Sequence, residues 1–223
     1  IPLAESITAT GQYLQKYVTE YLQKTGRQVI YGDTDSVFSI LKGKEDPTKV
    51  AEEINKEVDT HLRTKFNVGN SYIEIELDKT FDKFFIEAKK KYAGEKEGKI
   101  KYIGMECVKR DTIPLTVNYQ LKLFKKLFEG ESKNNIKKWI QEKQKTVLND
   151  EFKPEDLTIR KKISKSPSGY KSDLLHVKIA KKLDLPVGSI VSYIITKGGD
   201  STKLDGIPLS EFKGKWDRKY YWD

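Results

Sequence analysis

The stretch VIYGDTDSVFSI, Val29–Ile40, sets two carboxylates one residue apart between two apolar runs. The flanks read as strands and the centre as a tight turn. Val, Ile, Tyr and Phe suit a pleated surface, whereas Gly, Asp, Thr and Ser bond their own backbone in turns. On a strand, side chains at i and i+2 share a face, so Asp33 and Asp35 are expected to project together with Thr34 turned away. Two anions held that way call for cations. Divalent ions bridged by carboxylates can activate an attacking oxygen and neutralise a leaving one in phosphoryl transfer. Gly32 would let backbone or substrate approach closely. Asp and Thr are also ordinary turn residues, so a purely structural turn competes with this reading. An EF-hand is excluded, because Phe38 stands where its loop needs Gly and Lys44 where it needs Glu.

Upstream, Ser6 or Thr8 can cap a helix carrying Leu14, Tyr17, Val18, Tyr21 and Leu22 at helical spacing, with Gly26 as its stop. Downstream, DPTKVAEEINKEVDTHLRTKF reads as a helix with Asp46 at the cap, Pro47 at its first position, and an apolar stripe of Val50, Ile54, Val58, Leu62 and Phe66. YIEIEL alternates strictly, and KFFIEAKKKYAG and KIKYIGMECVK flank a Gly-containing connection, so further antiparallel strands are expected. The first half thus reads as an antiparallel sheet covered by helices. After RDTIPL the pattern changes to two helices, TVNYQLKLFKKLFEG and NNIKKWIQEKQKTVL, which puts a boundary near Ile113–Leu115. A basic stretch, IRKKISKSPSGYKSDLLHVKIAKKL, a strand, GSIVSYIITKGG, and an irregular aromatic tail, KWDRKYYWD, follow.

With 223 residues the chain can fold as one large domain or two modest ones. Its 42 basic and 33 acidic residues give a formal charge of +9, which attracts a polyanion through counterion release. Nucleic acid is the leading partner class and an acidic membrane surface the second. No apolar run approaches the roughly 20 residues that cross a bilayer, and IPLAESITATGQ lacks a basic flank before an apolar block. A soluble cytoplasmic protein, associated with the nucleoid and not with a membrane, is expected. The single Cys107 excludes an internal disulfide and a cysteine-based metal site, and reads as a small core residue on a strand.

The full hexapeptide YGDTDS between apolar strands resembles the motif in which family B DNA polymerases carry metal-binding aspartates on the catalytic palm. The resemblance runs on in order through AESITATGQ before it, KKKYAG and GMECVKRDT after it, and more loosely YKSDLLHVKIAKKL and GSIVSYIITKGG, which are similar to the thumb. It implies an α+β chain: the C-terminal part of a palm, residues 1–113, as an antiparallel sheet with covering helices, then a mainly helical thumb, residues 114–223. Asp33 and Asp35 become catalytic ligands of a two-metal Mg2+ site, and Tyr31 and Thr34 shape the turn near the primer end. Lys89, Lys90, Lys91 and Tyr92 hold the primer-template duplex near its growing end, without demanding a sequence. Lys109, Arg110 and Asp111 match the family's basic–basic–acidic run, although Thr112 stands where the family usually has Trp. Tyr170 and Lys171 align with thumb positions in a segment, Arg160–Lys182, that holds eight basic residues and one acid, Asp173. His176 aligns there too and reads as a packed or surface histidine.

Two further motifs of the family, an aspartate motif of the kind D-x-x-S-L-Y-P-S and a fingers helix with K-x-x-x-N-S-x-Y-G, do not occur, nor does an upstream exonuclease sequence. The resemblance therefore implies that the chain is inactive alone. It would be either a fragment of a longer polymerase or the small subunit of a split archaeal one, and the Lys/Glu-rich composition favours the subunit. The larger partner would supply exonuclease, fingers and the remaining palm, and deoxynucleoside triphosphates would be the substrates. The rival reading is a non-catalytic nucleic-acid-binding module whose Asp turn is structural.

Overall fold

The structure, a computed structural model, describes residues 2–149, 151–172, 174–197 and 205–222. Asp173 and the Gly198–Gly199 end of the expected strand lie outside the described residues. The chain forms two compact units, Ile1–Asp82 and Lys83–Asp223.

In the first unit α1 (Pro2–Lys24) and α2 (Pro47–Phe66) carry a small hairpin, β1 (Gln28–Asp33) and β2 (Ser36–Ile40). The helix α1 starts ahead of the two expected caps, and the Thr8 hydroxyl bonds back to the Ala4 carbonyl at 3.1 Å instead. Gly26 ends it with φ +76°, a conformation that costs glycine little. The cap of α2 is as read: the Asp46 carboxylate accepts from the Thr48 N–H at 2.9 Å with Pro47 in the first turn. Leu14, Val18 and Leu22 interleave with Val50, Ile54, Val58 and Leu62, and Val29, Val37 and Ile75 pack on that core. Phe66, expected on the stripe, is 55% exposed, because it is the last residue of α2.

YIEIEL does not form a strand: residues 72–77 belong to no ladder. Alternation alone specifies a side-chain pattern, whereas a strand also needs a neighbour to bond. The expected single sheet of the first half is instead two, because β3 (Lys83–Ala88), β4 (Lys91–Lys96) and β5 (Lys99–Ile103) form their own antiparallel meander in the second unit. A two-residue turn joins β4 to β5, with Glu97 and Gly98 both at positive φ. The GMECVK end of KIKYIGMECVK is also not a strand. Glu106–Val108 forms a single 3-10 turn, with Met105 fully buried beside it and Cys107 half-buried, its N–H donating to Gln120 Oε1 at 2.6 Å.

The helices α3 (Pro114–Phe128) and α4 (Lys133–Asn149) stand where the sequence places them. Phe124 and Phe128 of α3 pack with Met105 on Ala93 of the β3–β5 sheet. Beyond them β6 (Ile159–Lys162), β7 (Ile190–Lys197) and β8 (Asp205–Pro208) form a third antiparallel sheet with β7 in the middle. Strand alternation makes β7 apolar on both faces. Val191, Tyr193 and Ile195 pack with Ile179 and Ala180 of α5 (Leu175–Lys182), and Ile194 packs with Leu115, Val147 and Trp216. The aromatic tail is core-forming rather than irregular. Arg218–Trp222 is a short helix, α6, and the Tyr221 hydroxyl donates to the Leu157 carbonyl at 2.8 Å while accepting from the Ile195 N–H at 3.0 Å. Among the described residues no helix is long and apolar enough to cross a membrane.

Candidate catalytic and DNA-contacting site

The β1–β2 hairpin closes with Asp33 opposite Ser36, leaving Thr34 and Asp35 as the turn. Asp35 is therefore not a strand residue, and the shared-face relation expected from alternation stops at Asp33. Both carboxylates lie at the hairpin tip, Asp33 as the last residue of β1 and Asp35 in the turn. Thr34 sits at φ +56° and the Asp35 N–H donates to the Asp33 carbonyl at 2.7 Å, a three-residue turn of the rare positive-φ kind. A β-branched residue seldom occupies that region, and holding it there costs about 1–3 kcal/mol. The Ser36 hydroxyl donates to the Asp33 carbonyl at 3.0 Å. Asp35 and Thr34 are exposed, Asp33 and Tyr31 are half-buried, and Tyr31 leans on Phe38 with ring centroids 5.4 Å apart.

The helical layer reaches this turn through Gln15. Its side-chain amide donates to the Ser36 carbonyl at 3.4 Å, and a methyl group on Gly32 would meet the same nitrogen at 2.7 Å. Nothing in the sequence marks Gln15, which lies beside the buried Leu14 and looks like any solvated helix residue.

Between α1 and α2 runs a ladder of hydroxyl and carboxylate groups in opposite chain directions. Tyr17 donates to Glu57 at 2.6 Å, Tyr21 donates to Glu53 at 2.8 Å, and Tyr13 bonds His61. Burial, then the carboxylate partners, push the phenols of Tyr17 and Tyr21 up to about 12. Arg27 closes the ladder, with its guanidinium 8% exposed and bonded to both Glu45 and Glu53 at 2.8–3.3 Å. Its bond to Glu53, and then its bond to Glu45, hold it protonated.

In the second unit Lys89 and Lys90 are the exposed two-residue turn between β3 and β4, with Lys90 at φ +63°. Lys91 and Tyr92 open β4. Gly104 seats this turn: at φ +64°, a methyl group there would lie 2.0 Å from the Lys90 carbonyl oxygen. Glu106 draws two of the predicted lysines together, 3.7 Å from Lys91 and 2.5 Å from Lys109, and the Lys109 bond holds its carboxyl below the ordinary range. Arg110 is exposed beside them. Asp111 forms an ion pair with Lys161 of β6, which lowers its carboxyl.

Tyr170 accepts from the Ser164 N–H at 2.9 Å and lies under Lys165, 5.1 Å from its ring. Lys171 is exposed next to it. His176 packs edge-on against Tyr170 at 6.0 Å, and burial, then Lys161, push its imidazole down, as expected of a packed histidine.

Among the described residues no three His, Cys, Asp or Glu side chains gather as a metal-binding group.

The family model for DNA polymerase family B matches residues 1–212. The chain belongs to that family. It is similar to a DNA polymerase of Thermococcus kodakarensis, with 31% identity over 98% of this chain and 13% of the relative, and to one of Methanocaldococcus jannaschii, with 32% identity over 89% and 12%. Its fold resembles the family B DNA polymerase of the hyperthermophilic archaeon Pyrobaculum calidifontis, with a TM-score of 0.65 and 28% identity over 99% of this chain and 28% of that one. The chain thus corresponds to under a third of the length of these relatives.

Proposed function

We propose that this chain is the C-terminal palm and thumb part of a DNA-directed DNA polymerase, palm in residues 1–113 and thumb in 114–223, working within a complex or longer chain. The observation that carries the proposal is the YGDTDS turn: two hard oxygen donors, Asp33 and Asp35, on a strained hairpin tip in a chain of this family. Carboxylate oxygens suit Mg2+, so the donors fit part of a two-metal site. The remaining ligands come from polypeptide outside this chain. When bound, the ions would lower the pKa of the primer hydroxyl and offset charge on the phosphates of an incoming deoxynucleoside triphosphate. The chain's own part is to hold two carboxylates in a fixed turn, so that little reorganisation is needed at reaction.

Lys89, Lys90, Lys91, Tyr92, Lys109 and Arg110 serve as backbone contacts to primer-template DNA, and Tyr170 and Lys171 as contacts of the thumb. A larger subunit with exonuclease, fingers and the first aspartate motif is the partner we favour, and the family's archaeal relatives and the lysine-rich composition support it. Mixed with that partner, the chain is expected to extend a primer in Mg2+. Asp35→Ala is expected to lower extension by at least about a thousandfold with assembly intact. An active Asp35→Ala complex would instead favour the rival reading of a non-catalytic DNA-binding module.

A further inference from the structure

We infer that the seam between α3 and α4 binds single-stranded DNA, on a surface separate from the lysines of the β3–β4 turn and from Tyr170 and Lys171. The two helices carry three lysines on α3 and five on α4, against one carboxylate, Glu142. Elsewhere the chain answers its lysines with acids, as at Lys109 with Glu106, Lys161 with Asp111 and Lys182 with Glu211. On α3 the same holds only near its end, where Lys125 meets Glu129 at 3.7 Å and Lys126 meets Glu131 at 2.7 Å. Among the described residues Lys122, Lys138 and Lys143 have no ion-pair partner, and Glu142, one turn from Lys138, pairs with none of them. Cations left unanswered in this way attract a polyanion.

Charge alone would describe a solvated face, and two aromatic rings in the seam say more. Tyr119 of α3 and Trp139 of α4 meet edge-to-face with centroids 6.2 Å apart, and both are half-buried, so part of each ring stays open. Lys126 stands 5.8 Å from the indole centroid and Lys143 6.0 Å from the phenol centroid. The seam thus reads cation, indole, phenol, cation. Helical spacing makes it a continuous row, with Tyr119, Lys122 and Lys126 on one face of α3 and Trp139 and Lys143 on one face of α4. Each end offers a cation for a phosphate and a ring for the base that phosphate carries, the combination by which a single strand is held without sequence preference. A duplex would use the lysines, but its bases stack on one another and leave the rings idle. An acidic protein fits less well, because lysine is depleted from protein interfaces. That the strand is DNA rests on the polymerase reading above, whereas the pairing of cations with rings does not.

Trp139 reports on its own site, since the other two tryptophans, Trp216 and Trp222, lie in the C-terminal tail. Oligothymidylate of about 16 nucleotides, titrated into the 223-residue chain, is expected to quench tryptophan emission. Trp139→Phe should remove that quench yet still bind the labelled oligomer by anisotropy. The combined Lys122→Ala, Lys138→Ala and Lys143→Ala variant is expected to lower the slope of log affinity against log salt by about 2, at about 0.7 per phosphate on a single strand, with its melting temperature unchanged. Lys89→Ala with Lys90→Ala should leave the quench in place, and a duplex of the same length should produce none. A quench that survives in Trp139→Phe, or a triple lysine variant with the parent's slope, overturns the inference. So does a duplex that quenches equally. Polyglutamate that displaces the oligomer as readily as unlabelled oligothymidylate also overturns it, by making an acidic protein the occupant. Primer extension by Asp35→Ala is scored separately, so failure of the metal assignment leaves the quench readable.

Discussion

Thr34 carries the least comfortable backbone near the candidate site, and what surrounds it explains how it is kept. The Asp35 N–H to Asp33 carbonyl bond closes the turn, the Ser36 hydroxyl ties its far side, and Gln15 anchors Ser36 from α1. Gly32 is the residue that lets Gln15 come so near. In the complete polymerase, Gly32→Ala is expected to lower primer extension about 10- to 100-fold by displacing the turn. Adding Gln15→Ala should recover part of it, and the Ser36 carbonyl, 3.3 Å from the added methyl, limits the recovery. Steady-state extension by the single and double variants checks this; equal loss in both would show that Gln15 does not position the turn. As members of a candidate site, Asp33, Asp35 and the lysines stand out from motif letters alone. Gln15 and Glu106 do not, because Gln15 acts on a carbonyl 21 residues away and Glu106 acts on Lys91 from a turn the sequence does not announce.

At the scale of elements, the α1–α2 pair is the platform beneath the turn, and its polar ladder titrates. The Arg27 bond, then the Tyr21 bond, hold Glu53 below its ordinary value near 4.5, and the Lys42 N–H, then Arg27, do the same for Glu45. A carboxyl whose folded pKa is depressed adds stability above its unfolded pKa and loses it as pH falls through the folded value. Urea unfolding of the chain is therefore expected to show stability falling below about pH 4.5, and Glu53→Gln should flatten that fall. At neutral pH Arg27→Met should cost about 2 kcal/mol, because it leaves the Glu45 and Glu53 carboxylates without their shared cation. A Glu53→Gln profile identical to the parent's would remove Glu53 from this role. The helices themselves were readable, since Asp46–Pro47, Gly26 and the apolar spacing are local signals. YIEIEL and the GMECVK end of KIKYIGMECVK depart from the expected strands for a common reason. Their local pattern suits a strand, but the hydrogen-bonding neighbour that makes one is not specified by the segment.

On the scale of the molecule, charge is the property that bears most directly on the proposed DNA contact. The excess of +9 is a property of the whole chain, but its lysines do not contribute alike. Lys91 and Lys109 share Glu106, and Lys161 pairs with Asp111, so part of their charge is already answered within the protein. Lys89 and Lys90 sit together on an exposed turn whose seat is fixed by Gly104, which sets two cations side by side for phosphate contacts. Each phosphate neutralised on duplex DNA adds about 0.9 to the slope of log affinity against log salt. Replacing both Lys89 and Lys90 by Ala is expected to reduce that slope by about 2, uniformly across duplex sequences. Fluorescence anisotropy of a labelled primer-template, titrated at several salt concentrations, measures it. Asp35→Ala should leave the slope in place, since a carboxylate releases no counterion from DNA. A double lysine variant with the parent's slope would move the duplex contact away from the β3–β4 turn, and Arg160 and Lys162, exposed on β6, would be the next residues to change.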